Sequence, residues 1–112
     1  MKSVPPDILN EKKSIALAVE FVVDRVKGVS LIQANVVGAS YPLTLGVPGV
    51  AVFGPDREGR FEADVHIAVA GMKIPEATDT LRSELWKEFR NRGIADRVKN
   101  VDIYVEDLMM AV

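Results

Sequence analysis

The segment from Phe61 to Ala70 constrains the fold more than any other part of the sequence, because apolar and polar residues alternate along it. The apolar positions are Phe61, Ala63, Val65, Ile67 and Val69, and the polar positions between them are Glu62, Asp64 and His66. Successive side chains of a β-strand point to opposite faces, so this period of two predicts a strand with one apolar face. That face must be covered, and we expect a helix to cover it.

Two segments have the composition and spacing of amphipathic helices. The first begins at the Pro5-Pro6-Asp7 sequence and is predicted to extend to Lys27, before Gly28. The second begins at Pro75 and is predicted to extend to about Arg92. The positions that share one helical face are Ile15, Ala18, Val19, Val22, Val23 and Val26 in the first helix, and Ala77, Leu81, Leu85 and Phe89 in the second.

Three further segments read as strands, at residues 29–37, 50–53 and 99–107. A turn sequence at residues 54–59 predicts that the second of them forms a hairpin with residues 61–70. The predicted fold is therefore α+β, with a small mixed sheet of about four strands covered on one face by two helices. The order is α-β-β-β-α-β, and the connection through the second helix allows the last strand to run parallel to strand 61–70.

The composition excludes several classes of function. A chain of 112 residues corresponds to a single domain, 1–112, and the absence of cysteine excludes thiolate nucleophiles and thiolate metal sites. A formal net charge of -2 argues against nucleic-acid binding. The sequence opens without a signal peptide and contains no apolar run long enough to span a bilayer. We therefore expect a cytoplasmic protein without direct membrane insertion.

The polar face of the predicted sheet carries the residue types that catalysis or ligand binding would require. If strands 61–70 and 99–107 are neighbours, this face brings together Asp64 and His66 with Asp102 and Tyr104, flanked by Glu62 and Glu106. Such a patch suits a small molecule or a metal ion, whereas the competing interpretation is a solvated sheet face. No serine elbow or phosphate-binding loop accompanies it. We expect no enzyme, no catalytic residue, no metal and no cofactor.

Surplus apolar surface favours protein contacts instead. Leu17 and Phe21 lie outside the buried arc of the first helix, and the loop at residues 38–49 is unusually apolar. Either this loop covers the two side chains or they form a subunit contact. A basic cluster ends the second helix, where it either complements the helix dipole or docks an acidic partner. The candidate contact residues are Leu17, Phe21, Tyr41, Leu43, Leu45, Arg90 and Arg92, with Arg97 and Lys99 completing the basic cluster.

The chain resembles the alkaline shock protein family, the small envelope-stress proteins of Gram-positive bacteria. The strand FEADVHIAVAG ends on a glycine and leads through MKIP into a helix, as it does in that family. The helix is followed by VKNVDIYVEDL, which is similar to the family's terminal strand. The sequence VKGV at residues 26–29 resembles the end of the family's first helix, whereas Ala70 stands where the family has an aromatic residue.

The resemblance implies a function without catalysis. Members of that family are abundant cytoplasmic proteins that self-associate and are recruited to the membrane by a small membrane-anchored partner. The expected partners of this chain are therefore a second copy of itself and a membrane-anchored protein. The expected role is scaffolding in the envelope stress response.

Overall fold

The structure, a computed structural model, describes residues 6–32 and 46–109 and has the predicted α+β fold. Two helices pack on a four-stranded mixed sheet, and a short 3-10 helix precedes the last strand. The elements are α1 (Pro6–Val23), β1 (Val29–Leu31), β2 (Val50–Phe53), β3 (Phe61–Ala70), α2 (Ile74–Asn91), the 3-10 helix (Ala95–Arg97) and β4 (Val98–Met109).

The sheet is built around β3, which has neighbours on both edges. β4 runs parallel to β3 along one edge, whereas β1 and β2 both run antiparallel to it along the other. β1 pairs with the second half of β3 and β2 with the first half, so the two short strands lie end to end. They meet at His66, whose carbonyl accepts from the Ile32 N–H and whose N–H donates to the Gly49 carbonyl. Ile32 and Gly49, which flank residues outside the described ranges, therefore both bond to the backbone of His66.

The core lies between one face of the sheet and the two helices. All five apolar positions of β3 and all four of α2 are buried, which confirms the predicted faces. The predicted arc of α1 is also buried except for Val26, which is half-buried, and Ala16 joins it. Leu17 and Phe21 stay outside the core, as predicted.

The end of α1 differs from the sequence prediction. α1 ends at Val23 rather than Lys27, because the following turn tightens: the Arg25 N–H donates to Val22 and the Val26 N–H to both Val22 and Val23. Gly28 then turns the chain toward β1 with a φ of +80°. β1 is described only over Val29–Leu31, and the remainder of the predicted strand, 33–37, lies outside the described residues.

The GVPG sequence at residues 46–49 has a structural role. Val47 is buried in the core, and Gly49 has a φ of +84° directly before β2. A Cβ at Gly49 would lie 2.5 Å from the Ile32 carbonyl oxygen and 3.1 Å from that of His66. Only glycine fits between these backbone atoms without displacement of the strands.

In the part of the chain that the structure describes, no helix has both the length and the apolarity needed to cross a membrane.

Candidate functional site

Leu17 and Phe21 form an exposed apolar strip one turn apart on α1. Leu17 is 49% exposed and Phe21 is 40% exposed, although both are large apolar side chains. Two arginines, Arg25 in the turn after α1 and Arg92 at the end of α2, lie beside the Phe21 ring. We call these four residues the helix surface: Leu17, Phe21, Arg25 and Arg92. Arg92 is also a member of the predicted basic cluster.

The Phe21 ring contacts both guanidinium groups. The guanidinium carbon of Arg25 is 5.0 Å from the ring centroid, and that of Arg92 is 5.3 Å from it. Both distances are within the range of a cation–π interaction. The Arg92 Nε also donates to Glu88 Oε2 at 2.6 Å, which holds that guanidinium in place. The aromatic ring of the helix surface therefore has two cations beside it.

An open groove adjoins this ring between the two helices. Its volume is about 630 Å³, and its lining mixes apolar, polar and charged side chains of both helices, of the turn after α1 and of the connection before α2. Besides Phe21 and Arg25, residues that line the groove include Lys27, Met72, Thr80, Glu84, Lys87 and Glu88. The groove is large enough to accept side chains of a bound segment but is lined by too many polar groups to be part of the core.

The remaining contact candidates do not join the helix surface. Arg97 donates to both carboxylate oxygens of Glu11, and Lys99 lies 4.0 Å from an Asp56 oxygen. The basic cluster predicted from the sequence is therefore divided among separate neighbours, and Arg90 is exposed at its helix end. Three of the candidates, Tyr41, Leu43 and Leu45, lie outside the described residues.

The opposite face of the sheet brings together the four residues of the predicted ligand patch. Asp64 pairs with Asp102 across the β3–β4 ladder, and His66 pairs with Tyr104. The His66 and Tyr104 rings stack, with centroids 4.8 Å apart and planes 13° from parallel. His66 Nδ1 lies 2.5 Å from Glu106 Oε1, which accepts the hydrogen bond. We call this group the polar sheet face.

This face is partly buried, because His66 lies in it. His66 is only 4% exposed and its neighbour Ala68 is also buried, although both lie on the side away from the helices. The tyrosine ring stacked on the imidazole and the Glu106 carboxylate bonded to it contribute to that burial. A histidine with a carboxylate on one side and a phenol ring against its plane is a positioned group rather than a mobile surface side chain.

Two carboxylates facing each other raise pKa values on this face. Burial raises the pKa of Asp64, and the neighbouring Asp102 raises it further, while His66 acts in the opposite direction. The Asp64 charge is also the largest cause of a raised pKa at Tyr104, ahead of desolvation and of Asp102. The negative charge of neighbouring carboxylates on this face therefore disfavours ionisation of both Asp64 and Tyr104.

A metal ion is not favoured by the geometry of this face. Within the described ranges 6–32 and 46–109, no three His, Cys, Asp or Glu side chains are grouped so that they could hold a metal ion. A small molecule that donates a hydrogen bond to Asp64 or Asp102 would fit the electrostatics better than an anion would.

Replacing Asp64 with asparagine is expected to raise the melting temperature at neutral pH. The raised pKa means that the folded protein holds the Asp64 proton more tightly than the unfolded chain does. Wild-type stability therefore falls as the pH rises from the ordinary value of 3.8 through the folded-state pKa. Asparagine has no charge to desolvate. The melting temperature of the variant, measured at several pH values across this range, should therefore depend less on pH than that of the wild type.

The matched control for this prediction is Glu62→Gln, which removes an exposed carboxylate from the same strand face. Its effect on the free energy of unfolding should stay within about 0.5 kcal/mol. If Asp64→Asn instead lowers the melting temperature at neutral pH, the Asp64 carboxylate contributes a stabilising contact that outweighs its desolvation.

Comparisons with known proteins do not place the chain: no family model, no curated protein and no solved structure matches it. The resemblance to the alkaline shock protein family therefore stays a prediction from the motifs.

Proposed function

We propose that this protein is a non-enzymatic contact protein that self-associates and binds a partner protein, and that the partner docks on the helix surface. The observation that carries the proposal is Phe21, an exposed aromatic ring with two guanidinium groups beside it, one from the turn after α1 and one from the C-terminal end of α2. Arginine is enriched among the residues that contribute most to binding energy at protein interfaces, and phenylalanine is enriched in the interfaces themselves. Here they occur together, beside a groove, on a surface that the core leaves uncovered.

The charges beside Phe21 favour an acidic partner over a second copy at this surface. In a symmetric contact centred on Phe21, Arg25 and Arg92 would approach the same arginines of the second copy, and like charges at an interface are unfavourable. A partner that supplies a carboxylate would instead form charge-assisted hydrogen bonds with a guanidinium group. The proposed occupant is therefore a segment with an apolar side chain for the groove and an acidic residue beside it.

The biological setting of the proposal comes from the family resemblance. In that setting the chain is a cytoplasmic scaffold of the envelope stress response, and a small membrane-anchored protein is the partner that recruits it to the membrane. The helix surface would then provide the docking site for the cytoplasmic segment of that partner.

Replacing Phe21 with serine is expected to weaken partner binding by about 30-fold or more, the effect of losing a hot-spot side chain worth about 2 kcal/mol. Binding can be followed with a photo-cross-linking amino acid at Leu17, which lies beside Phe21 on the helix surface. A partner captured at position 17 should be lost in the Phe21→Ser background. The fold should be retained, with a stability change within about 1 kcal/mol, because Phe21 lies outside the core.

The matched control is Phe53→Ser, since Phe53 is 50% exposed but lies on the far side of the sheet, beside Glu62. This variant should retain the partner captured at position 17. Equal capture in both serine variants would show that the helix surface is not the docking site. Unfolding of Phe21→Ser would instead show that this side chain supports the core.

Self-association is tested by the native mass of the purified wild-type protein, measured by light scattering over a range of concentrations. A mass of two or more chains that falls on dilution would support this part of the proposal. A single-chain mass at every concentration would contradict it and leave partner binding as the proposed function.

The polar sheet face supports an alternative, a small-molecule-binding domain. The observation in its favour is the stack of Tyr104 on His66 together with the Glu106 hydrogen bond, which positions an imidazole at a sheet face. A thermal shift on addition of a ligand or metal, lost in a Tyr104→Ala variant, would favour this alternative over the contact function.

A further inference from the structure

The second edge of the sheet is formed by β4, the longest strand of the fold. β4 contains twelve residues, and in the described part of the chain its only strand partner is β3. The edge that faces away from β3 thus presents backbone N–H and C=O groups without a ladder partner among those residues. An edge of this length is a template for pairing with another strand.

The apolar side chains of β4 are covered unequally. Val98 and Val101, in the first half of the strand, are buried against the core. Ile103 and Val105, which continue the same face, are only partly buried. The second half of β4 therefore combines an open backbone edge with apolar side chains that further contact would cover.

The sequence of β4 is self-complementary about Ile103. An antiparallel pairing of two copies on a two-fold axis at this residue places Val101 opposite Val105, Ile103 opposite itself and Asp102 opposite Tyr104. The ladder of β4 with β3 is regular over this stretch, from Asn100 to Val105. Apolar positions face apolar positions, and no two like charges are opposed.

Neighbouring registers lack this complementarity. An axis at residue 102 would place Asp102 opposite its own copy, and an axis at residue 104 would place Asp102 opposite Glu106. Like charges directly opposite each other on two strands are destabilising. Among the axes at residues 102, 103 and 104, the charge pattern thus favours the axis at Ile103.

We propose that two copies of this chain associate by antiparallel pairing of their β4 edges about Ile103, which joins their sheets into one continuous sheet. The proposal rests on the self-association part of the proposed function and names its surface. It leaves the helix surface of each copy free for the partner. A dimer of this kind presents two partner-binding surfaces, as a scaffold requires.

One intramolecular contact already occupies this edge. Arg82 of α2 donates to the Val101 carbonyl oxygen at 2.6 Å. A carbonyl oxygen carries two lone pairs, so the Arg82 bond leaves one acceptor position for an N–H of the second copy. The arginine is compatible with pairing and also satisfies the carbonyl in the free monomer.

The absence of cysteine from the chain allows a direct test by disulfide formation. In the proposed register an Ile103→Cys variant brings two thiols to facing positions, with Cα atoms about 4.5–5.5 Å apart, within the range that a disulfide bridges. The matched control is Val105→Cys, which has the same partial burial on the same face of the same strand. Its two copies would be offset by four residues, about 13 Å, and cannot form a direct disulfide.

Under a mild oxidant, Ile103→Cys is expected to form a covalent dimer at least about 10-fold faster than Val105→Cys, a difference of about 1.4 kcal/mol in barrier. Equal rates, or no dimer from Ile103→Cys, in a protein whose wild type is dimeric by light scattering would overturn the β4 pairing while the proposed self-association stands. A monomeric wild type would overturn both.

A second measurement avoids substitutions altogether. Hydrogen exchange of the backbone amides at residues 101–105 in the wild type should be slower above the dimerisation concentration than below it, because pairing protects edge amides. Exchange at these residues that does not change while the native mass doubles would also overturn the β4 pairing.

Discussion

Replacing Leu85 with alanine is expected to lower the free energy of unfolding by about 2–5 kcal/mol. The side chain is fully buried in the apolar stripe of α2, where it packs between that helix and the rest of the core. Truncation removes its transfer free energy and leaves a cavity that the neighbouring side chains fill only in part. A loss of this size is a large share of the roughly 5–15 kcal/mol that stabilises a typical domain.

Urea unfolding provides the measurement, followed by the fluorescence of Trp86, the chain's single tryptophan, whose ring meets the buried Phe89 ring edge-on. The matched control is Leu17→Ala, because Leu17 is also a helical leucine but is half exposed. Its loss should be below about 1 kcal/mol. Similar losses in the two variants would mean that the helices do not pack on the sheet with the faces described above.

Replacing Gly49 with alanine is expected to lower the free energy of unfolding by about 2–5 kcal/mol. The left-handed conformation costs a non-glycine residue roughly 1–2 kcal/mol, and forcing extra volume into a packed site adds about 1–3 kcal/mol. Both costs apply here, because φ is +84° and the added Cβ would lie 2.5 Å from the Ile32 carbonyl oxygen. The clash falls where β1 ends and β2 begins, so the substitution strains the sheet itself.

Gly46→Ala separates the two costs. Gly46 has a similar φ of +68°, but a Cβ there would meet nothing within 4 Å. Its expected cost is the conformational part alone, about 1–2 kcal/mol. Thermal or urea unfolding of the two variants should therefore differ by the cost of the backbone contact. If both variants lose equal stability, the close approach of Gly49 to Ile32 and His66 does not occur in solution.

Gly49 also contacts the polar sheet face, because its carbonyl oxygen accepts a hydrogen bond from the backbone N–H of His66. Gly49 and Ile32 hold the two backbone hydrogen-bonding groups of His66 on the β1–β2 edge, while Tyr104 and Glu106 hold its ring from the β4 side. The backbone of His66 is thus held from one side of β3 and its imidazole ring from the other. A Gly49 substitution is expected to disturb this face as well as the stability of the sheet.

The elements and their core faces could be predicted from the sequence alone. The alternation along β3 and the four-residue spacing in α2 identified every position of those elements that faces the helix–sheet core, because a strand or helix has to place its apolar side chains on one side. The exposure of Leu17 and Phe21 also followed from the helical period of α1. The end of α1 was less accurate, since hydrogen bonds in the connecting turn end the helix before its apolar pattern ends.

Which distant residues come into contact depended on how the helices and strands pack together. Arg92 is distant in sequence from Phe21 and reaches it because α1 and α2 pack side by side, whereas Arg97, from the same basic cluster, turns to Glu11. Likewise, His66 is buried on the face predicted to be polar, because the parallel pairing with β4 brings Tyr104 and Glu106 to it. Local periodicity specifies which side of an element is apolar, but contacts between distant residues depend on strand register and helix packing, which no local pattern encodes.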